Sequence, residues 1–320
     1  MAVFTRVVLK EIIPWASQFP IGNIISLKDI QSGIENSNFF LSTDKGEYVL
    51  TIFEKLSLKE LAFCINLMRH LAVKKILVPA PIINYRGEII STLHGKPATV
   101  VTKLEGNWKS APTFFHCEKV GDMLAKMHLA SLDYHLYQPN LRGLAWWNST
   151  IPKVLPFITK KKQNLLESEL SFQKNFISSM IYKSLPKGPI HADLFRNNVM
   201  FDKEKLSGFF DFYFAGFDTW LFDIAVAVND WCIELSTGKI DDIKAKSMLS
   251  AYNKIRPFSL EEKNAWPSIL RAAAFRFWLS RLYDYYVPRE AHLLTPHDPM
   301  HFEQILEQRI INFSENLLLK

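Results

Sequence analysis

Cysteine is scarce, with three residues in 320, and Cys64, Cys117 and Cys232 are far apart. They form neither a CxxC pair nor a zinc-ligand spacing, which excludes a disulfide framework and predicts a reducing compartment. Glycine is also scarce, at 12 residues, so long flexible linkers and a glycine-rich phosphate loop are both absent. No apolar run is long enough to span a bilayer. The most apolar stretch, 209–235, is interrupted by Asp211, Asp218, Asp223 and Asp230, and the first fifteen residues carry Arg6, Lys10 and Glu11 within their apolar part. Neither a membrane segment nor a signal peptide is expected, and a cytoplasmic location follows. There are no internal repeats and no low-complexity tracts. The net charge of +6 includes one basic run, Lys160-Lys161-Lys162, without interleaved aromatics, so it reads as a solvated helix start and not as a nucleic-acid surface.

The remaining chain has a globular composition, 48% hydrophobic and 22% charged, and enough apolar material for a two-lobed protein. After a short leading helix over 7–19, a β-rich unit is predicted: a weak strand at 24–30, a polar loop at 31–38, and a hairpin of 39–41 with 47–53 about Asp44-Lys45-Gly46. Ser57 caps a helix whose apolar positions Leu58, Leu61, Ala62, Ile65 and Met68 follow the helical period. Strands are predicted at 82–84, 89–91 and 98–102. From Thr113 the pattern turns helical, with long helices at 223–235, 242–255, 260–286 and 300–319. The expected organisation is an N-terminal lobe over 1–103 and a C-terminal lobe over 104–320.

One non-helical stretch interrupts the second lobe. Pro189-Ile190-His191-Ala192-Asp193-Leu194-Phe195-Arg196-Asn197-Asn198 leads into an apolar hairpin that ends in Asp211. Pairing about the turn 202–205 would set Asn198 nearly opposite Asp211 at the open end, beside the loop that carries Asp193. Phosphoryl transfer consists mostly of positioning and charge neutralisation. A carboxylate must orient the attacking hydroxyl, the role predicted for Asp193, and hard oxygen ligands must hold Mg²⁺, the role predicted for Asn198 and Asp211.

The pattern His-x-Asp-Leu-x-x-x-x-Asn, followed by an apolar strand and Asp-Phe, resembles the catalytic core of the aminoglycoside phosphotransferase and choline-kinase-like enzymes. A narrower resemblance comes from Glu35-Asn36-Ser37-Asn38, Tyr48 to Glu54, Ala192-Asp193-Leu194-Phe195-Arg196, Asp211-Phe212-Tyr213-Phe214 and Val228-Asn229-Asp230-Trp231-Cys232. With Arg276 to Arg281 and Pro296-His297-Asp298-Pro299, these runs are similar to the kinase-like form of homoserine kinase.

That resemblance implies an α+β, two-lobed, protein-kinase-like fold, with a small antiparallel-sheet N-lobe and a larger, mainly helical C-lobe. It implies ATP and Mg²⁺ as cofactors and L-homoserine as the small-molecule partner, giving O-phospho-L-homoserine for threonine biosynthesis. Asp193 would be the base, and Asn198 and Asp211 the metal ligands. Ser32, Gly33, Asn36, Ser37 and Asn38 would cover the nucleotide, with Thr51 beneath it and Thr102 and Leu104 in the hinge facing adenine. His191 and Asp223 would support the catalytic loop. Arg196, Arg276 and Arg281 each offer a cation for a substrate carboxylate, Asp230 could meet the ammonium, and Tyr213 is a further candidate substrate contact.

One departure stands out. The lysine that reaches the α- and β-phosphates in kinases is replaced by Thr51, and its usual helix partner would be Glu60. Three other readings compete with this one. They are a kinase of another small alcohol, such as choline, ethanolamine, methylthioribose or an aminoglycoside; a nucleotide-binding pseudokinase; and a two-metal hydrolase using His191, Asp193 and Asp211.

Overall fold

The computed structural model describes residues 5–30, 36–287, 297–314 and 316–318. Helix α1 (Leu9–Ala16) lies across a five-stranded antiparallel sheet made of β1 (Ile24–Asp29), β2 (Asn36–Thr43), β3 (Gly46–Phe53), β4 (Ser91–Leu93) and β5 (Lys96–Thr102), in the order β1-β2-β3-β5-β4. Alternation along the strands divides their side chains between two faces. Phe39, Leu41, Leu50, Ile52, Ala98 and Val100 pack against Ile12 and Ala16 of α1, whereas Phe53 and Val101 join the larger core below. Helix α2 (Leu58–Val73) starts at the predicted cap, where the Glu60 amide donates to the Ser57 hydroxyl at 3.3 Å and the Glu60 carboxylate returns to the Ser57 amide at 2.9 Å.

The predicted strand at 82–84 does not form, and the one at 89–91 is displaced to β4, sharing only Ser91. Instead the Asn84 side chain accepts from the amides of Arg86 and Glu88, 2.9 Å each, and closes a local turn; a side chain that satisfies its own backbone competes with a ladder. The hairpin partner of β5 is β4, joined through the tight turn at His94-Gly95.

The second unit comprises α3 (Phe114–Ala130), α4 (Leu144–Val154), α5 (Lys160–Ser178), α6 (Met180–Ser184), β6 (Lys187–Ile190), β7 (Val199–Asp202), β8 (Lys205–Phe209), β9 (Gly216–Thr219), α7 (Trp220–Trp231), α8 (Asp242–Ile255), α9 (Leu260–Tyr286) and α10 (Met300–Ile311). Around α9, Trp266, Phe275, Trp278 and Leu282 are all buried, so this helix runs through the core and is not amphipathic. The pairing of β6 with β9 was not anticipated: both strands are four residues long, too short for a period to show. Helix α7 begins three residues before the predicted Asp223, so that Asp223 falls in its first turn, and it stops at Trp231, where the chain bends back to pair Ile233 with Ile240.

The connector after β5 is pressed onto the β7–β8 hairpin. Asn107 and Phe201 exchange backbone hydrogen bonds of 2.9 and 3.0 Å. Gly106 has φ +83°, and a Cβ there would sit 2.0 Å from the Phe201 carbonyl oxygen, so only glycine allows this approach.

Candidate active site

The loop after β6 is held from behind by a buried carboxylate. Asp223 accepts from the backbone amides of His191 and Ala192, 2.8 Å each, and from His128 Nε2 at 3.1 Å. Since a carboxylate only accepts, His128 carries its proton on Nε2, leaving Nδ1 to accept from the Tyr252 hydroxyl at 2.7 Å. Burial alone would raise the Asp223 pKa, but these donors outweigh it and hold the carboxyl below its ordinary value. Burial keeps His128 neutral by lowering its pKa. The gripped residue, Ala192, has φ +65°, a left-handed conformation costing a non-glycine residue about 1–3 kcal/mol, and the two amide bonds from 191 and 192 offset that strain.

His191 joins this loop to the second half of the site. Its Nε2 donates to the Phe210 carbonyl at 2.8 Å while Nδ1 accepts from the Asp193 amide at 3.3 Å. Both ring nitrogens are therefore engaged within the protein, which removes His191 as a metal ligand and with it the two-metal hydrolase arrangement.

Asp193, Asn198 and Asp211 converge at the end of the hairpin. Asn198 Nδ2 donates to the Asp193 carbonyl at 2.7 Å and to its carboxylate at 3.1 Å, so the Asn198 Oδ1 remains an acceptor. Simple pairing about the turn would set Asn198 against Phe209; the register shift at Met200/Phe201 moves it against Phe210, whose amide donates to its carbonyl at 3.0 Å, one residue short of Asp211. Asp211 follows in a left-handed conformation, φ +65° and ψ +58°, and starts the short 3₁₀ turn Phe212–Phe214. One amide oxygen and one half-buried carboxylate suit Mg²⁺, which takes few protein ligands and keeps phosphate and water oxygens. Among the described residues no group of three or more His, Cys, Asp or Glu could enclose a metal.

On the nucleotide side, Asn36, Ser37 and Asn38 belong to β2 and not to a loop, paired with Phe53, Ile52 and Thr51. Successive residues point to opposite faces, and this separates Ser37 from Asn38. The Ser37 hydroxyl donates to Glu54 at 2.6 Å and accepts from the Thr5 amide at 3.0 Å, in a cluster closed by a Lys96–Glu54 ion pair. It is thereby committed to this cluster. Asn38 accepts from the buried Thr51 hydroxyl at 2.8 Å, and Tyr213 packs edge-on against Phe53 with ring centres 5.0 Å apart. Where a kinase would carry a lysine, this chain has a neutral Asn38–Thr51 pair. Glu60 is used in its helix cap. Thr102 bonds Ala80 through its hydroxyl at 2.8 Å, and Leu104 lies in the connector beside Gly208. Ser32, Gly33, Glu35 and Pro296 lie outside the described residues.

The acceptor side separates the three candidate arginines. Arg196 grips Asp230 through its amide at 2.8 Å and its side chain at 3.0 and 3.2 Å, so these two candidates for opposite ends of a substrate satisfy each other. Trp231 Nε1 donates to the Leu194 carbonyl at 3.1 Å, a second tie between α7 and the loop. Arg276, buried in α9, stands 3.5 Å from the Asp193 carboxylate and lies over the Phe277 ring. Arg281 lies over Phe302, 4.9 Å from the ring centre. The pairing of Arg276 with Asp193 was not visible beforehand, because nothing in the sequence relates positions 83 residues apart. His128 left a usable signal: it shares the inward face of α3 with Val120 and Leu124, where a polar residue requires a partner.

Residues 26–258 match the phosphotransferase enzyme family. The homoserine kinase of Janthinobacterium sp. (strain Marseille) is 56% identical over 310 residues, spanning 97% of this chain and 96% of its own. That of Paraburkholderia phytofirmans is 54% identical over 318 residues, with 97% and 96% covered. In three dimensions the chain is similar to an amicoumacin kinase solved in complex with AMP-PNP and Ca²⁺, with a TM-score of 0.71, 15% identity and 98% and 96% of the two chains covered. At that identity the likeness shows the fold, a small antiparallel sheet over a helical lobe. No helix among the described residues is long and apolar enough to cross a membrane.

Proposed function

The chain belongs to the phosphotransferase enzyme family and, within it, to the homoserine kinases, and from that premise we propose that it moves the γ-phosphoryl group of ATP onto the side-chain hydroxyl of L-homoserine. The Asp193 carboxylate carries this reading. It is only 16% exposed, fixed by the Asn198 amide and faced by Arg276, so it is partly open to solvent and yet oriented. The hydroxyl oxygen attacks the γ-phosphorus as the bond from that phosphorus to the ADP oxygen breaks, and the hydroxyl proton passes to Asp193. Asn198 holds Asp193 in line and, with Asp211, would hold Mg²⁺. When bound, the ion neutralises phosphate charge. The Asn38–Thr51 pair bounds the phosphate side with neutral groups, leaving charge compensation to the ion and to backbone amides.

The decisive experiment mixes the purified chain with ATP, Mg²⁺ and a panel of small alcohols and follows ADP release. Homoserine should turn over fastest. Faster turnover of choline, ethanolamine, methylthioribose or an aminoglycoside would overturn the substrate assignment while leaving the phosphotransferase chemistry standing.

A further inference from the structure

We propose that Arg281 is the receptor for the substrate carboxylate and the residue that makes the site specific for an amino acid over a simple amino alcohol. This assignment rests on the homoserine reading above and deepens it.

The three arginines near the acceptor end are not equivalent. Arg196 spends its fork on Asp230 and on the Ser110 carbonyl, 3.1 Å away. Arg276 lies against the Asp193 carboxylate, where it serves the reacting end. Arg276 and Arg281 each keep a buried Nε that meets no hydrogen-bond acceptor among the described residues, but Arg276 has its head against Asp193, whereas Arg281 has no ion pair among the described residues. A buried guanidinium N–H without an acceptor is costly, and burial holds the Arg281 pKa below its usual value. A carboxylate arriving there would supply the missing acceptor in the two-pronged geometry that a guanidinium matches.

The surrounding charges fit the rest of the molecule. Arg281 feels the carboxylates of Asp230, Asp193, Asp284 and Asp298, of which Asp230 is neutralised by Arg196 and Asp193 is faced by Arg276. The site thus presents a desolvated cation with acids close by, which suits a zwitterion better than a simple anion or a simple amine. The half-buried His301 is held below its ordinary pKa by burial and by Arg281, so it adds no competing positive charge. The carboxylates of Asp193 and Asp230 both act on Arg281, so its guanidinium shares the electrostatic neighbourhood of the reacting end.

The test uses homoserine and 3-aminopropanol, which is homoserine without its carboxylate. Wild-type enzyme should prefer homoserine strongly in kcat/KM. In R281Q the value for homoserine should fall by about 100-fold or more, mostly through KM, while that for 3-aminopropanol changes by less than about threefold. R281K keeps the charge and the packed stem but loses the fork, and should fall between the two. It also serves if the glutamine variant fails to fold. Equal losses on both substrates, or no loss on homoserine, with the wild-type preference intact, would overturn the role of Arg281 alone. A wild-type enzyme indifferent to the carboxylate would overturn the homoserine reading and this assignment together.

Discussion

Asp223 accepts the amide of Ala192 at 2.8 Å, and with the neighbouring amide of His191 it secures a left-handed alanine directly before Asp193. The loop is shaped by a carboxylate arriving from the first turn of α7, so its geometry depends on a charge far away in sequence. Replacing Asp223 with Asn removes that charge and one acceptor from two amides and an imidazole. D223N should lose roughly 3 kcal/mol of stability in chemical denaturation and should also lose activity under conditions where it stays folded. Wild-type stability in this variant would mean the contacts are incidental.

Asp193 itself supports a sharper separation. D193N preserves shape and hydrogen bonding but cannot take the proton, so kcat should fall by about 10²–10⁴-fold while nucleotide affinity, measured by calorimetry, changes by only a few-fold. Comparable losses in both would identify the residue as part of the nucleotide site.

Gly106 is where the connector meets the β7–β8 hairpin. Because its φ is +83° and a Cβ would sit 2.0 Å from the Phe201 carbonyl oxygen, G106A should destabilise by at least about 2 kcal/mol. An unchanged thermal midpoint would show that the connector can move away at little cost.

Two buried neutral histidines set an acid limit. His128 and His191 are each held below the ordinary value of 6.5, chiefly by burial. Unfolded chains bind these protons near that value and the folded protein does not, so stability is lost as pH falls below it, by up to about 1.4 kcal/mol per pH unit for each site. The thermal midpoint should decline between about pH 7 and pH 5, and H128Q should flatten that decline. The Asp223 carboxyl, held low, adds a separate loss in more acid solution. A midpoint that rises across the first window would contradict the burial of these rings.

Burial also predicts the behaviour of the thiols. Cys64, Cys117 and Cys232 are all inaccessible, and burial pushes the Cys64 thiol up to about 12. A colourimetric thiol reagent should find all three in denaturant and react at least about a hundredfold more slowly with the native protein. Rapid native labelling would point to local opening around α2 or α3.

Much of this protein is legible from sequence because its signals are local. Ser57 and Glu60 announce a capped helix, Asp44-Lys45-Gly46 a hairpin, and the spacing of Asp193, Asn198 and Asp211 a polar cluster at the end of another. Each depends on residues a few positions apart, where backbone geometry alone sets who meets whom. The strands β6 and β9 were too short to show a period, and Asn84 closed a turn where a ladder was expected. Only the tertiary structure decided how the charges pair. Arg196 could have faced the substrate but closes on Asp230, Arg276 on the far helix reaches Asp193, and His128 finds Asp223 in the core. A buried charge takes whatever partner packing brings within about 4 Å, and that choice belongs to the assembled core and not to the chain order.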